Sequence, residues 1–349
     1  MIITNTKGGK MNCNKQIKLL HAFLIIVLLF SGCILFNSCN KKEQDKKIYK
    51  VGIISGAEAF AAIADGFKNR MTKLGYIEGK NISYDLQKLN GDSSKTKPIV
   101  EKLINDKVDL IFAFPTDPAI EAKKATHDTN IPIVFALAGI EGNNLVNSIP
   151  EPGGNITGVR FPGPENTVNR LELLHELAPD AKRILLMYDP NYPIAAFALK
   201  ELHSAATTMN LKLVEDPVIN LEELQSHLQI RSQSNKTDAD AILIMPEILT
   251  QTPEGFAAIL KFANKYRLPI GGALPFTADL GALFSFAPDG VEIGMLAAEL
   301  ADKILKGTPA GSIMVVTPDN YLKLNYKVIK ELNLTVSEGL LSRAKEIIR

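Results

Sequence analysis

VGIISGAEAFAAIADGFKNRMTKLGYIEGKNISYDLQ, beginning at Val51 and ending at Gln87, decides the fold. It opens on a run rich in β-branched residues, crosses a loop of small residues, continues with apolar residues at helical spacing and ends in a second extended run. A strand, a crossover helix and another strand in that order make a βαβ unit. The same order returns in ILLMYDPNYPIAAFALKELHSAATTMNLKLVEDP from Ile184. The units that follow also correspond. VDLIFAFPTDPAIEAKKATHDTNIPIVFAL from Val108 parallels ADAILIMPEILTQTPEGFAAILKFANKYRLPIGGAL from Ala239, each ending in a strand introduced by a proline. The offset is about 132 residues in both comparisons, so the chain is read as two similar α/β lobes in succession.

Working outward, strands are predicted at 49 to 55, 81 to 87, 108 to 114, 131 to 137, 183 to 188, 211 to 215, 239 to 245, 268 to 273 and 282 to 286. Helices are predicted at 59 to 74, 95 to 105, 118 to 129, 165 to 177, 193 to 209, 220 to 234, 254 to 266 and 290 to 306. Several strands are continuous apolar runs, as expected of parallel strands covered by helices on both faces. The fold class is therefore α/β, with two doubly wound parallel-sheet lobes. Residues 152 to 164 (PGGNITGVRFPGP) form a Gly/Pro-rich stretch with a short extended core, which reads as a hinge strand.

The N-terminus adds a compartment. Residues 19 to 36 (LLHAFLIIVLLFSGCILF) are apolar and follow Lys7, Lys10, Lys15 and Lys18 with no acidic residue, the layout of a secretory signal. Met11 offers an alternative start. All three cysteines, Cys13, Cys33 and Cys39, lie in or beside this segment; the body has no thiol, which excludes an internal disulfide, a zinc ribbon and a cysteine nucleophile. A cysteine just after an apolar run, preceded by small residues, is where bacterial lipoproteins receive their lipid. Cys39 is preferred because cleavage there leaves the polar tether NKKEQDKK, whereas the alternative, Cys33, leaves apolar Ile34, Leu35 and Phe36 in solvent. The competing reading is a permanent anchor, but the apolar core is near the short end of the roughly 17 to 25 residues a span needs. Residues 1 to 38 are thus a lipoprotein signal and 39 to 47 a tether, placing the body outside the cytoplasm on a lipid-anchored chain.

The 349 residues carry 39 basic and 38 acidic side chains; without residues 1 to 38 the balance is 35 against 38. With no long basic run and no tryptophan, the body lacks the electrostatic footprint of a nucleic-acid partner. Catalytic signals are sparse. His21 lies in the signal, and His127, His175, His203 and His227 are scattered over predicted helices without metal-ligand spacing. There is no G-x-S-x-G elbow, no phosphate loop and no H-E-x-x-H helix. No catalytic residue, metal or cofactor is expected.

Several motifs together resemble a known family. They are LGYIEGKNISY at Leu74, VDLIFAF followed by Thr116 at Val108, IPIVF at Ile131, PGGNITGV at Pro152 and LLHELAPDAKRILLMYDPN at Leu173. Farther on come ALFSFAPDGVEIGMLAAELADKILKGTPAG at Ala282 and KLNYKVIKELNLTVSEGLLSRAKEII at Lys323. Nearly the whole body is similar to ABC-transporter substrate-binding lipoproteins of the type I periplasmic-binding-protein fold, in the branch with tryptophan- and tyrosine-binding members. The resemblance implies lobes of 48 to 158 plus 288 to 318 and of 161 to 285 plus 321 to 349, hinged around a small, amino-acid-like solute that passes to an ABC permease. Two departures bear on the ligand. Relatives tend to carry a small hydroxyl residue and Asp-Asn where this chain reads Met245-Pro246-Glu247-Ile248-Leu249-Thr250, and Tyr192-Pro193-Ile194 replaces small polar residues. A sensory partner in place of the permease is the alternative, and an exported enzyme on the same scaffold the third reading.

In open parallel sheets, ligands bind beyond the carboxyl ends of strands. With the resemblance, this points to Ser55, Gly56 and Glu58; Phe114, Thr116 and Asp117; Leu137 and Ala138; Asp189, Asn191 and Tyr192; Pro246 and Glu247; and Leu274, Pro275 and Phe286. For a zwitterion, Thr116 and the helix N-terminus beside it are candidates for the carboxylate and Glu247 for the amine. The bland alternatives are a helix N-cap for Asp117, a solvated loop carboxylate for Glu247, a turn residue for Asn191, and core packing for Phe114, Tyr192 and Phe286.

Overall fold

The computed structural model describes residues 47–349. The signal segment, both candidate lipidation cysteines and most of the tether lie outside the described residues. One sheet holds five parallel strands, β1 (Tyr49–Ser55), β2 (Ile82–Lys88), β3 (Leu110–Phe114), β4 (Ile133–Ala138) and β5 (Ile156–Arg160), in the order β2-β1-β3-β4-β5. The other holds β6 (Arg183–Tyr188), β7 (Lys212–Pro217), β8 (Ala241–Leu243), β9 (Ile270–Gly272), β10 (Phe284–Ala287), β11 (Tyr321–Asn325) and β12 (Ala344–Ile348), in the order β12-β11-β10-β9-β8-β6-β7. All pairs are parallel except β10 with β11.

The helices are α1 (Ala61–Lys73), α2 (Thr96–Asn105), α3 (Thr116–Ala125), α4 (Pro164–Leu177), α5 (Ala195–Thr208), α6 (Leu221–Arg231), α7 (Pro253–Tyr266), α8 (Pro275–Leu280), α9 (Gly290–Leu305), α10 (Tyr326–Glu331) and α11 (Glu338–Arg343). Strand side chains alternate between two cores, as the period-2 pleat requires. Val51, Ile53, Leu110 and Phe112 pack with α1 and α9, whereas Ile54, Ile111 and Ala113 pack with α2 and α3. In the second lobe Ile184, Leu186 and Tyr188 meet α4 and α5, and Leu185 and Met187 meet α6 and α7. Central β3 and β4 are buried throughout, while edge strand β2 is fully buried only at Ile82. That contrast is the signature of a sheet covered on both faces.

The chain passes between the sheets three times, from β5 to α4, from β10 to α9, and from the segment around Val316 to β11. Helix α9 lies so close on α1 that a Cβ on Gly294 would stand 2.1 Å from the Ile63 carbonyl oxygen, and one on Gly66 2.2 Å from that of Val291. Asp289 caps α9 by accepting from the Glu292 N–H, and Asn220 caps α6 by accepting from that of Glu223.

Differences from the sequence reading are local. The helix predicted over 118 to 129 runs instead from Thr116 to Ala125; the Thr126 hydroxyl donates back to the Ala122 carbonyl at 2.8 Å at its end, and His127 sits in the following turn. Asp117 is in the first helical turn, with Pro115 at the cap position, so the N-cap reading of Asp117 does not hold. Beyond α9 the chain meets the first sheet through one bridge, Val316 beside Val159. Among the described residues no helix is long and apolar enough to cross a membrane.

Candidate functional site

The carboxyl ends of β1, β3, β4 and β5 of lobe one and of β6, β8 and β9 of lobe two face a shared pocket whose empty space, open mouth included, is about 470 Å³. From lobe one come Phe60, Pro115, Thr116 and Leu137. Thr116 opens α3, and its hydroxyl oxygen accepts from the Gly139 N–H at 3.0 Å, tying the β3 end to the loop after β4. Leu137 sits at a register shift between Ala136 and Ala138 with φ of 50°. A bulge of this kind re-aims a side chain, and the left-handed backbone of a bulky residue is held there by its surroundings.

Lobe two supplies Asn166, Arg170, Tyr192, Ile194, Pro246, Glu247, Gln251, Leu274 and Phe286. Tyr192 and Ile194 follow the Asp189 turn, in which the Asn191 N–H donates to the Asp189 carboxylate at 2.8 Å. Ile194 seats against the first lobe where Gly139 has no side chain: a Cβ there would lie 2.4 Å from it. Glu247 is 3% exposed, and its carboxylate accepts from the Leu249 N–H at 2.6 Å, the Thr250 N–H at 2.8 Å and the Thr250 hydroxyl. Burial pushes this carboxyl up to about 7 against the pull of those bonds, and the negative Asp189 adds to the rise. The solvated-loop reading of Glu247 therefore gives way to a buried acid that caps its own turn.

A wider recess of about 1030 Å³ lies outside the pocket and shares Tyr192, Glu247 and Ile248 with it. Gly56, Asp117 and Asp189 line this recess. Burial, then the charge of Asp189, raises Asp117 to about 6, with Lys124 opposing. Burial, then Asp117, drives the Tyr192 phenol well above its ordinary range.

Six predicted residues are not brought to either space. Ser55 donates to the Ala57 carbonyl at 3.2 Å; exposed Glu58 pairs with Lys88 at 2.8 Å; Phe114 packs on Phe112 with centroids 4.9 Å apart; Ala138 is buried in the core; Asn191 is exposed; and Pro275 opens α8. The sequence reading missed Asn166 and Arg170, on the inward face of α4. Arg170 precedes Leu174 by one helical turn and so occupies a position whose pattern calls for an apolar side chain. A charge in that row is the signal that could have found it. Arg170 is 1% exposed; its Nη1 donates to the Ile244 carbonyl at 3.0 Å and its Nη2 to the Thr167 hydroxyl at 3.2 Å. Burial lowers it to about 9, so the guanidinium stays charged at neutral pH. Among the described residues no three His, Cys, Asp or Glu are placed to hold a metal ion.

The profile of a family described as ABC transporter substrate binding protein matches residues 49–348. The chain is 30% identical over 332 residues to the tyrosine-binding protein of Clostridioides difficile (strain R20291), with 92% of each chain covered. Among solved structures, a conserved domain protein from Vibrio cholerae is similar with a TM-score of 0.78 at 27% identity, over 86% of this chain and 100% of that one. The ABC domain from Streptococcus pneumonia in complex with L-Trp superposes with a TM-score of 0.79 at 23% identity, over the same shares. The ligand-free, open structure of a substrate-binding protein with adhesive properties from Clostridium difficile gives 0.63 at 26% identity, over 86% and 99%. The fold is that of type I periplasmic binding proteins. Two α/β lobes around a shared pocket, and a match running from the first strand to the last, show that the chain belongs to the ABC transporter substrate-binding protein family.

Proposed function

We propose that the protein captures an aromatic amino acid between its lobes outside the cytoplasm and presents it to an ABC permease, held at the membrane by a lipid on Cys39. The observation that carries this reading is the pocket's lining: Phe60, Leu137, Ile194, Ile248, Leu274 and Phe286 wall it from both lobes, with a few buried polar groups among them. Apolar walls suit an aromatic side chain, and a small number of placed polar groups suits an amino-acid head. A tyrosine-binding protein among the relatives and an L-Trp complex among the structural neighbours support the choice of ligand. The protein binds and releases its solute unchanged. Isothermal titration of the purified protein with L-tyrosine, L-tryptophan, L-phenylalanine and the remaining amino acids tests the reading. Saturable binding of at least one aromatic member is expected, and a flat response to every amino acid refutes it. Metabolic labelling with a fatty acid, lost in Cys39→Ser and kept in Cys33→Ser, tests the anchor.

A further inference from the structure

The pocket holds two polar atoms that the protein leaves without partners. Arg170 Nε and Asn166 Oδ1 are buried, and neither has a hydrogen-bond partner. Their residues are 1% exposed, line the pocket and stand four positions apart on α4, which puts them on one helix face. No carboxylate pairs with Arg170 among the described residues, although a fully buried guanidinium is normally compensated. An orphaned donor carrying positive charge and an orphaned acceptor, side by side in an apolar pocket, are the complement of a carboxylate and an ammonium on one carbon. Thr116 and Glu247, the groups expected from sequence to read that head, are already engaged with Gly139 and with the 249–250 turn.

We propose that Arg170 and Asn166 form the head-group subsite, with the Arg170 guanidinium taking the ligand's α-carboxylate and the Asn166 carbonyl accepting from its α-ammonium. The proposal rests on the amino-acid reading of the pocket but is tested separately from it. Arg170→Met removes the charge while keeping volume, and Asn166→Asp supplies an internal carboxylate that occupies the guanidinium.

Titration with L-tyrosine, L-tryptophan, and the decarboxylated amines tyramine and tryptamine is paired with melting of the unliganded proteins. Wild type is expected to prefer each amino acid over its amine, and Arg170→Met to bind the amino acids at least about a hundredfold more weakly, so that the preference collapses. Asn166→Asp is expected to lose amino-acid binding as well. Both variants should melt above wild type without ligand, because each relieves an uncompensated buried charge. Arg170→Met binding amino acids as tightly as wild type overturns the subsite and leaves the amino-acid reading standing. Failure of wild type to bind any amino acid refutes that reading, and the melts then decide the subsite: higher melting of both variants supports an open anion site, and lower melting of either assigns Arg170 a structural role and overturns it.

Discussion

The two rims of the pocket differ in kind. Lobe one contributes Phe60, Pro115, Leu137 and Thr116, whose hydroxyl already accepts from the Gly139 N–H. Lobe two contributes all the titratable groups that line it, Arg170, Tyr192 and Glu247, and both side-chain amides, Asn166 and Gln251. A solute that first docks on the second lobe would meet its polar partners there, and closure of the first would add apolar burial and exclude water. Apolar contact is weakly directional, whereas charged hydrogen bonds lose most of their worth when a partner is removed. Discrimination should therefore reside in lobe two and closure in lobe one.

The contrast breaks most readily at Arg170. If lobe two reads the head group, Arg170→Met gives the largest loss of amino-acid affinity of any single pocket substitution, at least about a hundredfold by titration. Next comes pH. The Glu247 carboxyl, ordinarily near 4.5, is raised by burial to about 7. The native state therefore holds this proton to higher pH than the unfolded chain does. Its stabilising share is complete below about 4.5 and is lost as pH rises through about 7. Melting of the unliganded protein should fall across that window by up to about 3 kcal/mol from this group, and Glu247→Gln should flatten the profile. Asp117 acts in the same sense over 3.8 to about 6, with a smaller share because its rise is smaller and it is only partly buried.

Lobe one should respond more gently. Leu137→Ala removes apolar area at the bulge and should weaken binding by about 1 to 2 kcal/mol, with equal effect on an amino acid and its amine. Unequal effects would place part of the recognition in lobe one. The smallest change is expected of Thr116→Val, which removes the acceptor of the Gly139 N–H: about 1 kcal/mol of stability by denaturant titration, with affinity altered less than tenfold.

The lobes were legible because parallel strands buried on both faces read as unbroken apolar runs, and because the pattern at Val51 and Val108 returns at Ile184 and Ala239. That same continuity hid the facing of individual residues. Phe114 and Ala138 end strands in which every position is buried, so nothing in their spelling tells a pocket wall from a core contact. The pocket loops after β3, β4, β6 and β8 could be placed by strand-end logic, and Thr116, Leu137, Tyr192 and Glu247 line the space they surround. Helix α4 escapes strand-end logic because its pocket-lining residues lie within a helix rather than in a loop that follows a strand. Its polar members Asn166 and Arg170 stand in a row with Leu174 and Leu177, visible only to a reading that asks why a charge interrupts an apolar stripe.

Helix α9 carries a last consequence. Its Ile293, Ala297, Ala298 and Ala301 complete the first lobe's core although they are encoded after nearly all of the second lobe. While a ribosome is still making the second lobe, the first has strands but lacks one of its covering layers, and its apolar face stays open to solvent and to chaperones. A chain built in this order finishes its earlier half only near the end of synthesis, a timetable well matched to threading an uncompacted polypeptide through a membrane pore.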